Sequence, residues 1–100
     1  MTFAYQGTLG TKPGKRDDVV ALLTRRSAEL VDSGCLIYDV GVNDDDPDAV
    51  FVSELWESAE AHQASLQLDS VRATIAEAMP LLSGQNGGSS FTVVGSPLRG

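Results

Sequence analysis

Between Phe51 and Leu66 the apolar period changes from two to that of a helix. Phe51, Ser53 and Leu55 alternate with Val52, Glu54 and Trp56, so the two sets project from opposite faces of a pleated strand. Ser58 then stands where an N-cap is needed, with Glu60 in the first turn, where free backbone N–H groups and the helix dipole favour an acid. A strand hands over to a helix here, so the chain contains both sheet and helix. The same junction brings the only Trp and the only His together, because His62 lies about one turn into a helix starting near Ala59, fed by the strand that ends at Trp56.

The rest of the chain supplies partners for this junction. Phe3, Tyr5 and Leu9 alternate with polar Gln6 and Thr8, as in a half-buried first strand over Phe3–Gly10. Thr11 is a possible cap and Pro13 is tolerable in a first turn, after which Val19, Leu22, Leu23, Leu30 and Val31 recur at helical spacing up to Gly34. Cys35–Val42 reads as a second strand, and the polar Asn43–Asp48, with Pro47, as the turn of a hairpin to the third. Past the helix near Ala59, Asp69 can cap a further segment whose core stripe is Val71, Ile75 and Met79, ending at Pro80. Gln85–Ser90 has the composition of a flexible loop, and Phe91–Val94 that of a last strand. The order β-α-β-β-α-β, with the second helix broken near Asp69, predicts an α+β ferredoxin-like domain: an antiparallel sheet with helices on one face.

One hundred residues, 42% of them hydrophobic, suit a single domain spanning 1–100 whose own core is modest and which gains from a dimer interface. A net charge of −7 opposes binding to nucleic acid. The start lacks a basic segment followed by an apolar stretch, and no apolar run is long enough to span a bilayer. A soluble cytoplasmic protein without a membrane partner is expected. Cys35, the single cysteine, excludes an internal disulfide; placed beside Leu36 and Ile37, it reads as a buried small hydrophobe, with no adjacent base to activate a thiolate.

The segment Phe51-Val52-x-Glu54-x-Trp56-x-Ser58-x-x-Ala61-His62, with Val71-Arg72, the helix end Ala78–Leu82 and Gly34–Tyr38, resembles the antibiotic biosynthesis monooxygenase family over nearly the whole chain. The resemblance implies a homodimer in which two sheets pack as a dimeric α+β barrel. It also implies oxidation of a small aromatic substrate by O₂. Many relatives carry a second His three residues after the first, where this chain has Ser65. Haem-degrading relatives carry a Trp-Leu-x-Ser-Asp run and a ligand His; the corresponding places here are Ser65, Leu66, Leu68, Asp69 and Thr74-Ile75, which disfavours that chemistry.

Four residues are the candidate site. His62 can act as both base and acid near neutrality, the alternative being a helix-surface His. Trp56 offers an aromatic wall and an indole donor, or else seals the core. Glu54 shares a strand face with Trp56; it orients a hydroxyl or His62 if that face lines a cavity, the alternative being an ion pair with an Arg. Tyr38, on the neighbouring strand, lines the same cavity or packs in the core. Asp44-Asp45-Asp46-Pro47-Asp48 lacks the Gly and distant Glu of an EF-hand and reads as a solvated turn, and Arg25-Arg26 as a solvent face. No phosphate-cradling loop, Cys/His metal cluster or nucleophile elbow occurs, so no cofactor is expected.

Taken with these residues, the resemblance implies a small cofactor-independent monooxygenase acting on a quinol or hydroxylated aromatic, with His62 as base. The alternatives are a non-catalytic ligand-binding or stress-response dimer of the same fold, and an accessory interaction module. An enclosed apolar cavity lined by both His62 and Trp56 discriminates in favour of the enzyme.

Overall fold

The structure, a computed structural model, describes residues 1–99. Its elements are β1 (Phe3–Thr11), α1 (Arg16–Leu23), α2 (Ala28–Val31), β2 (Cys35–Asn43), β3 (Asp46–Trp56), α3 (Ala59–Ser65), α4 (Asp69–Ala78), a 3₁₀ turn (Met79–Leu81) and β4 (Leu82–Thr92). The strands form one antiparallel sheet in the order β2-β3-β1-β4, with the helices on one face. This is the ferredoxin-like α+β arrangement, each of its two helices being divided in two.

The period-two reading of β3 holds residue by residue. Val50, Val52, Glu54 and Trp56 are buried beneath the helices, while Ser53 is exposed and Phe51 and Leu55 are half-buried on the other face. Ser58 is extended and its hydroxyl accepts the Ala61 N–H at 3.0 Å, which fixes where α3 starts. Gly34 has φ +89, the left-handed conformation that turns the chain from the end of α2 into β2, whose first residue follows it directly.

Several expectations are corrected. The single helix expected between Thr11 and Gly34 is two: Thr11 is the buried last residue of β1, and α1 begins after Lys15, which makes no side-chain cap. The break falls where the Thr24 hydroxyl bonds back to the Val20 carbonyl at 2.7 Å and Ser27 caps a new turn by accepting the Leu30 N–H. Val31 is 76% exposed and lies outside the core. Asp69 does not cap α4; its neighbour Ser70 donates its backbone N–H to Glu29 Oε1 of α2, so the cap comes from another helix. Ile75 and Met79 are exposed, and the buried residue of α4 is Ala78. Cys35 is half-buried, at a bulge between Cys35 and Ile37 that pushes the extra residue, Leu36, outward.

The turn expected over Asn43–Asp48 is tighter, because Asn43 pairs with Asp46 and the Asn43 side chain accepts the Asp45 N–H at 3.0 Å. Gln85–Ser90 is strand, not loop. All of it lies within β4, paired in register to β1 from Asn86↔Leu9 to Thr92↔Phe3. Backbone hydrogen bonds hold that strand, and its side chains contribute little to a sequence pattern.

The face opposite the helices carries Ile37, Leu55, Phe51 and Phe91 around a polar centre of Gln6, Asp39, Ser53 and Ser89, and is concave there. No helix of the described residues is long and apolar enough to cross a membrane.

Candidate functional site

The first turn of α3 sets His62 over the ends of β1 and β3. Its imidazole centroid lies 5.3 Å from that of Phe3, 5.3 Å from that of Trp56, nearly edge-on at 71°, and 5.8 Å from that of Tyr5, nearly parallel at 20°. Glu54 is two residues before Trp56 on one strand face, so the Trp56 indole N–H reaches back to donate to Glu54 Oε1 at 3.0 Å. His62 Nε2 is 4.0 Å from the same oxygen, near enough for electrostatic influence and too far for a hydrogen bond. The ion pair with an Arg considered for Glu54 is not formed; its partner is the indole.

Cross-strand register completes a row. Tyr5 and Tyr38 pair with Glu54 from either side, so both phenols share its face. Burial pushes the Tyr38 hydroxyl up to about 12, helped by Glu54 and then by Cys35 and Tyr5. Burial likewise raises Glu54, against the opposing pull of the Trp56 hydrogen bond. Burial lowers His62 below its usual 6.5, which leaves the imidazole neutral at neutral pH and able to take a proton. The Cys35 thiol is raised by burial and then by Glu54, the opposite of what a reactive thiolate requires.

Tyr5, Tyr38, Glu54, Trp56 and His62 line one mainly apolar cavity of about 350 Å³ between sheet and helices. Its sheet wall is Tyr5, Tyr38, Glu54 and Trp56; α3 adds His62 and Ser65; Leu22, Leu30, Val71 and Ile75 close the helical side. All four candidate residues, His62, Trp56, Glu54 and Tyr38, are therefore brought together. Ser65 is buried and its hydroxyl donates to the His62 carbonyl at 2.6 Å, stiffening the helix that carries the imidazole. Ile75 and Val71 of the expected core stripe border this space instead of filling a core.

Two contributors escaped the sequence reading. Tyr5 was legible only as a strand residue. Arg25, expected on a solvent face, borders the cavity and ties the segment after α1 to α4, donating to Glu77 Oε2 at 2.6 Å and Thr74 Oγ1 at 3.0 Å. Ser27 and Ser70 share a hydrogen bond at 3.0 Å along the same seam. Arg26 is exposed, as expected.

The family model described as antibiotic biosynthesis monooxygenase matches residues 2–77. A protein of Chloroflexus aurantiacus, described as a candidate antibiotic biosynthesis monooxygenase, is 32% identical with a TM-score of 0.78, over 96% of this chain and 98% of that one. A similarly described Caulobacter crescentus structure has 21% identity and a TM-score of 0.84, covering 94% and 91%. One from Nitrosomonas europaea has 11% and 0.83, covering 93% and 90%. The last two speak to the fold alone. No curated protein matches the chain. The family model and the Chloroflexus aurantiacus relative support a monooxygenase-type function. With the family model matching residues 2–77 and a relative 32% identical over nearly the whole of both chains, the chain belongs to the antibiotic biosynthesis monooxygenase family.

Proposed function

We propose that the protein is a cofactor-independent monooxygenase that oxidises a quinol or another hydroxylated aromatic with O₂. The observation that carries this reading is that His62, whose pKa burial lowers, opens with Trp56 and Glu54 onto one mainly apolar cavity. His62 takes a proton from the substrate hydroxyl, and the resulting anion is electron-rich enough to pass one electron to O₂. The radical pair then recombines at ring carbon. His62 returns its proton to the resulting peroxide, and loss of the ring C–H proton with cleavage of the O–O bond leaves one oxygen on the ring as a carbonyl and releases the other, carrying both protons, as water. For a quinol the balance is one quinol and one O₂ giving one hydroxyquinone and one water, so the substrate supplies all the electrons.

Size and charge narrow the substrate. An apolar cavity of about 150 Å³ accommodates benzene, so about 350 Å³ suits a fused two-ring aromatic. Trp56 supplies an aromatic wall, and Tyr38 and Glu54 supply polar groups that orient hydroxyls. Arg25, the one cation bordering the cavity among the described residues, is engaged by Glu77, and Glu54 disfavours a second carboxylate. A neutral substrate is selected.

A homodimer completes the reading. The helix-free sheet face, with Ile37, Leu55, Phe51 and Phe91 around its polar centre, receives the same face of a second copy to give a dimeric α+β barrel.

The test is oxygen consumption by purified, metal-depleted protein against a panel of mono- and bicyclic quinols, beside His62→Ala. Turnover above spontaneous oxidation that is lost in the variant supports the proposal. Binding of the same quinols without oxygen uptake favours a non-catalytic ligand-binding dimer.

A further inference from the structure

We infer that Tyr5 is the positioning residue for His62, held in a slot on the sheet that Gly7 and Gly88 leave free of side chains. Its catalytic consequence rests on the reading of His62 as the base, whereas the slot itself does not.

Gly7 and Gly88 are register partners across β1 and β4, so side chains there would project from the same face, and Tyr5, two residues before Gly7, shares it. That face is the cavity side. A Cβ built on Gly7 would come within 2.8 Å of the Tyr5 hydroxyl and ring edge, and one on Gly88 within 2.6 Å of the hydroxyl. Real Cβ contacts are not this short, so the phenol lies over bare backbone at both positions. The neighbouring Gly87, on the opposite face, would meet nothing within 4 Å. Paired glycines inside a sheet weaken both strands, and the close approach of Tyr5 supplies the physical reason for them.

The seated ring lies nearly parallel to the imidazole, 5.8 Å away and inclined at 20°, while Phe3 and the edge of Trp56 bound it elsewhere. His62 thus has aromatic neighbours from β1 and β3, and in this arrangement Nε2 lies 4.0 Å from Glu54 Oε1. The titratable groups around it are Tyr5 from β1, Glu54 from β3 and, beyond Glu54, Tyr38 from β2, with Arg25 on the helical side of the cavity. Moving the phenol out of its slot frees one face of the imidazole and admits water to it.

Gly88→Ala is the decisive variant and Gly87→Ala its control on the same strand. The chain has one histidine, so a proton NMR titration reports His62 without assignment. Gly87→Ala should leave the imidazole resonance, its pKa and the melting temperature nearly unchanged. Gly88→Ala should move the resonance, because ring-current shielding changes, and raise the His62 pKa toward its free value. It should also lower Tm by on the order of 10 °C, the cost of overpacking in a domain of this size.

The thermal penalty should be largely relieved in a Tyr5→Ala background, where the phenol is gone and the Gln6 carbonyl oxygen, 3.0 Å from the new Cβ, remains; this double variant also decides the matter if Gly88→Ala alone fails to fold. Tyr5→Phe, which keeps the ring, should retain the wild-type His62 titration. An equal penalty for Gly88→Ala in both backgrounds, or a His62 resonance and pKa as undisturbed as in Gly87→Ala, would overturn the inference. None of these readouts requires turnover, so they stand apart from failure of the oxygenase reading. In an active enzyme, Gly88→Ala should in addition shift the acid limb of the pH–rate profile upward.

Discussion

Replacing Trp56 by Phe keeps an aromatic ring but removes the indole N–H that donates to Glu54 at 3.0 Å. Trp56 is 1% exposed and Glu54 9%, so water is poorly placed to supply a substitute donor. A hydrogen bond to a charged acceptor contributes about 1.5–3 kcal/mol, and the smaller ring leaves a void costing roughly 1 kcal/mol more. The expected loss at neutral pH is therefore about 3 kcal/mol, which in a domain of this size lowers Tm by on the order of 15 °C.

The pH dependence identifies the cause of that loss. Burial already raises the folded-state pKa of Glu54 above its ordinary 4.5, and the Trp56 bond is what opposes it. A raised pKa means that the folded state binds the proton more tightly, so the stability linked to Glu54 is fully present below the unfolded value and is lost as pH rises through the folded one. Removing the indole donor raises the folded pKa further. The Trp56→Phe deficit is thus largest near neutrality and shrinks on acidification toward about pH 5. Urea unfolding followed by far-UV circular dichroism at both pH values measures it, with Glu54→Gln as a second background in which the deficit should be smaller and independent of pH. A deficit equal at both pH values, or equal in both backgrounds, would show that the Glu54–Trp56 bond does not stabilise the buried carboxylate.

His62 acts with the opposite sign: its folded pKa lies below 6.5, so its contribution to stability is present above that value and lost as pH falls through the folded pKa; His62→Gln should flatten that loss in thermal melts. Quenching of Trp56, the chain's only Trp, should occur with a neutral naphthol and be at least about tenfold weaker with the matching naphthoate, because an added carboxylate meets Glu54 and, among the described residues, an Arg25 already engaged by Glu77; equal affinities would contradict the charge argument. Light scattering across a dilution series should give a dimer mass, and replacing Phe51 by Lys on the open sheet face should give monomers with the helix-covered cavity intact.

What could be read in advance follows from which interactions are local. The period change at Trp56, the Ser58 cap and the distance from Trp56 to His62 all lie within one stretch of chain, and the structure places those residues as their spacing demands. Glu54 and Tyr38 came from alternation and hairpin pairing, which are nearly as local. Tyr5 was different: its seat depends on Gly88, 83 positions away and in register only through sheet pairing. The Gly/Ser composition of β4 resembles a linker because backbone hydrogen bonds to β1 supply the order that side chains do not. The break after α1 turned on a Thr24 back-bond, and the α4 stripe was apolar because it borders a cavity, which periodicity alone cannot distinguish from a filled core.

The most direct measurement is the fate of heavy-isotope-labelled O₂ in single turnovers with a bicyclic quinol, run with metal-depleted wild-type protein and with His62→Ala. One labelled oxygen atom in the aromatic product, formed by the wild type and reduced by on the order of 10²-fold or more in the variant, is the predicted result. Product without label, or equal labelling by the two proteins, would contradict His62-dependent monooxygenation in this cavity.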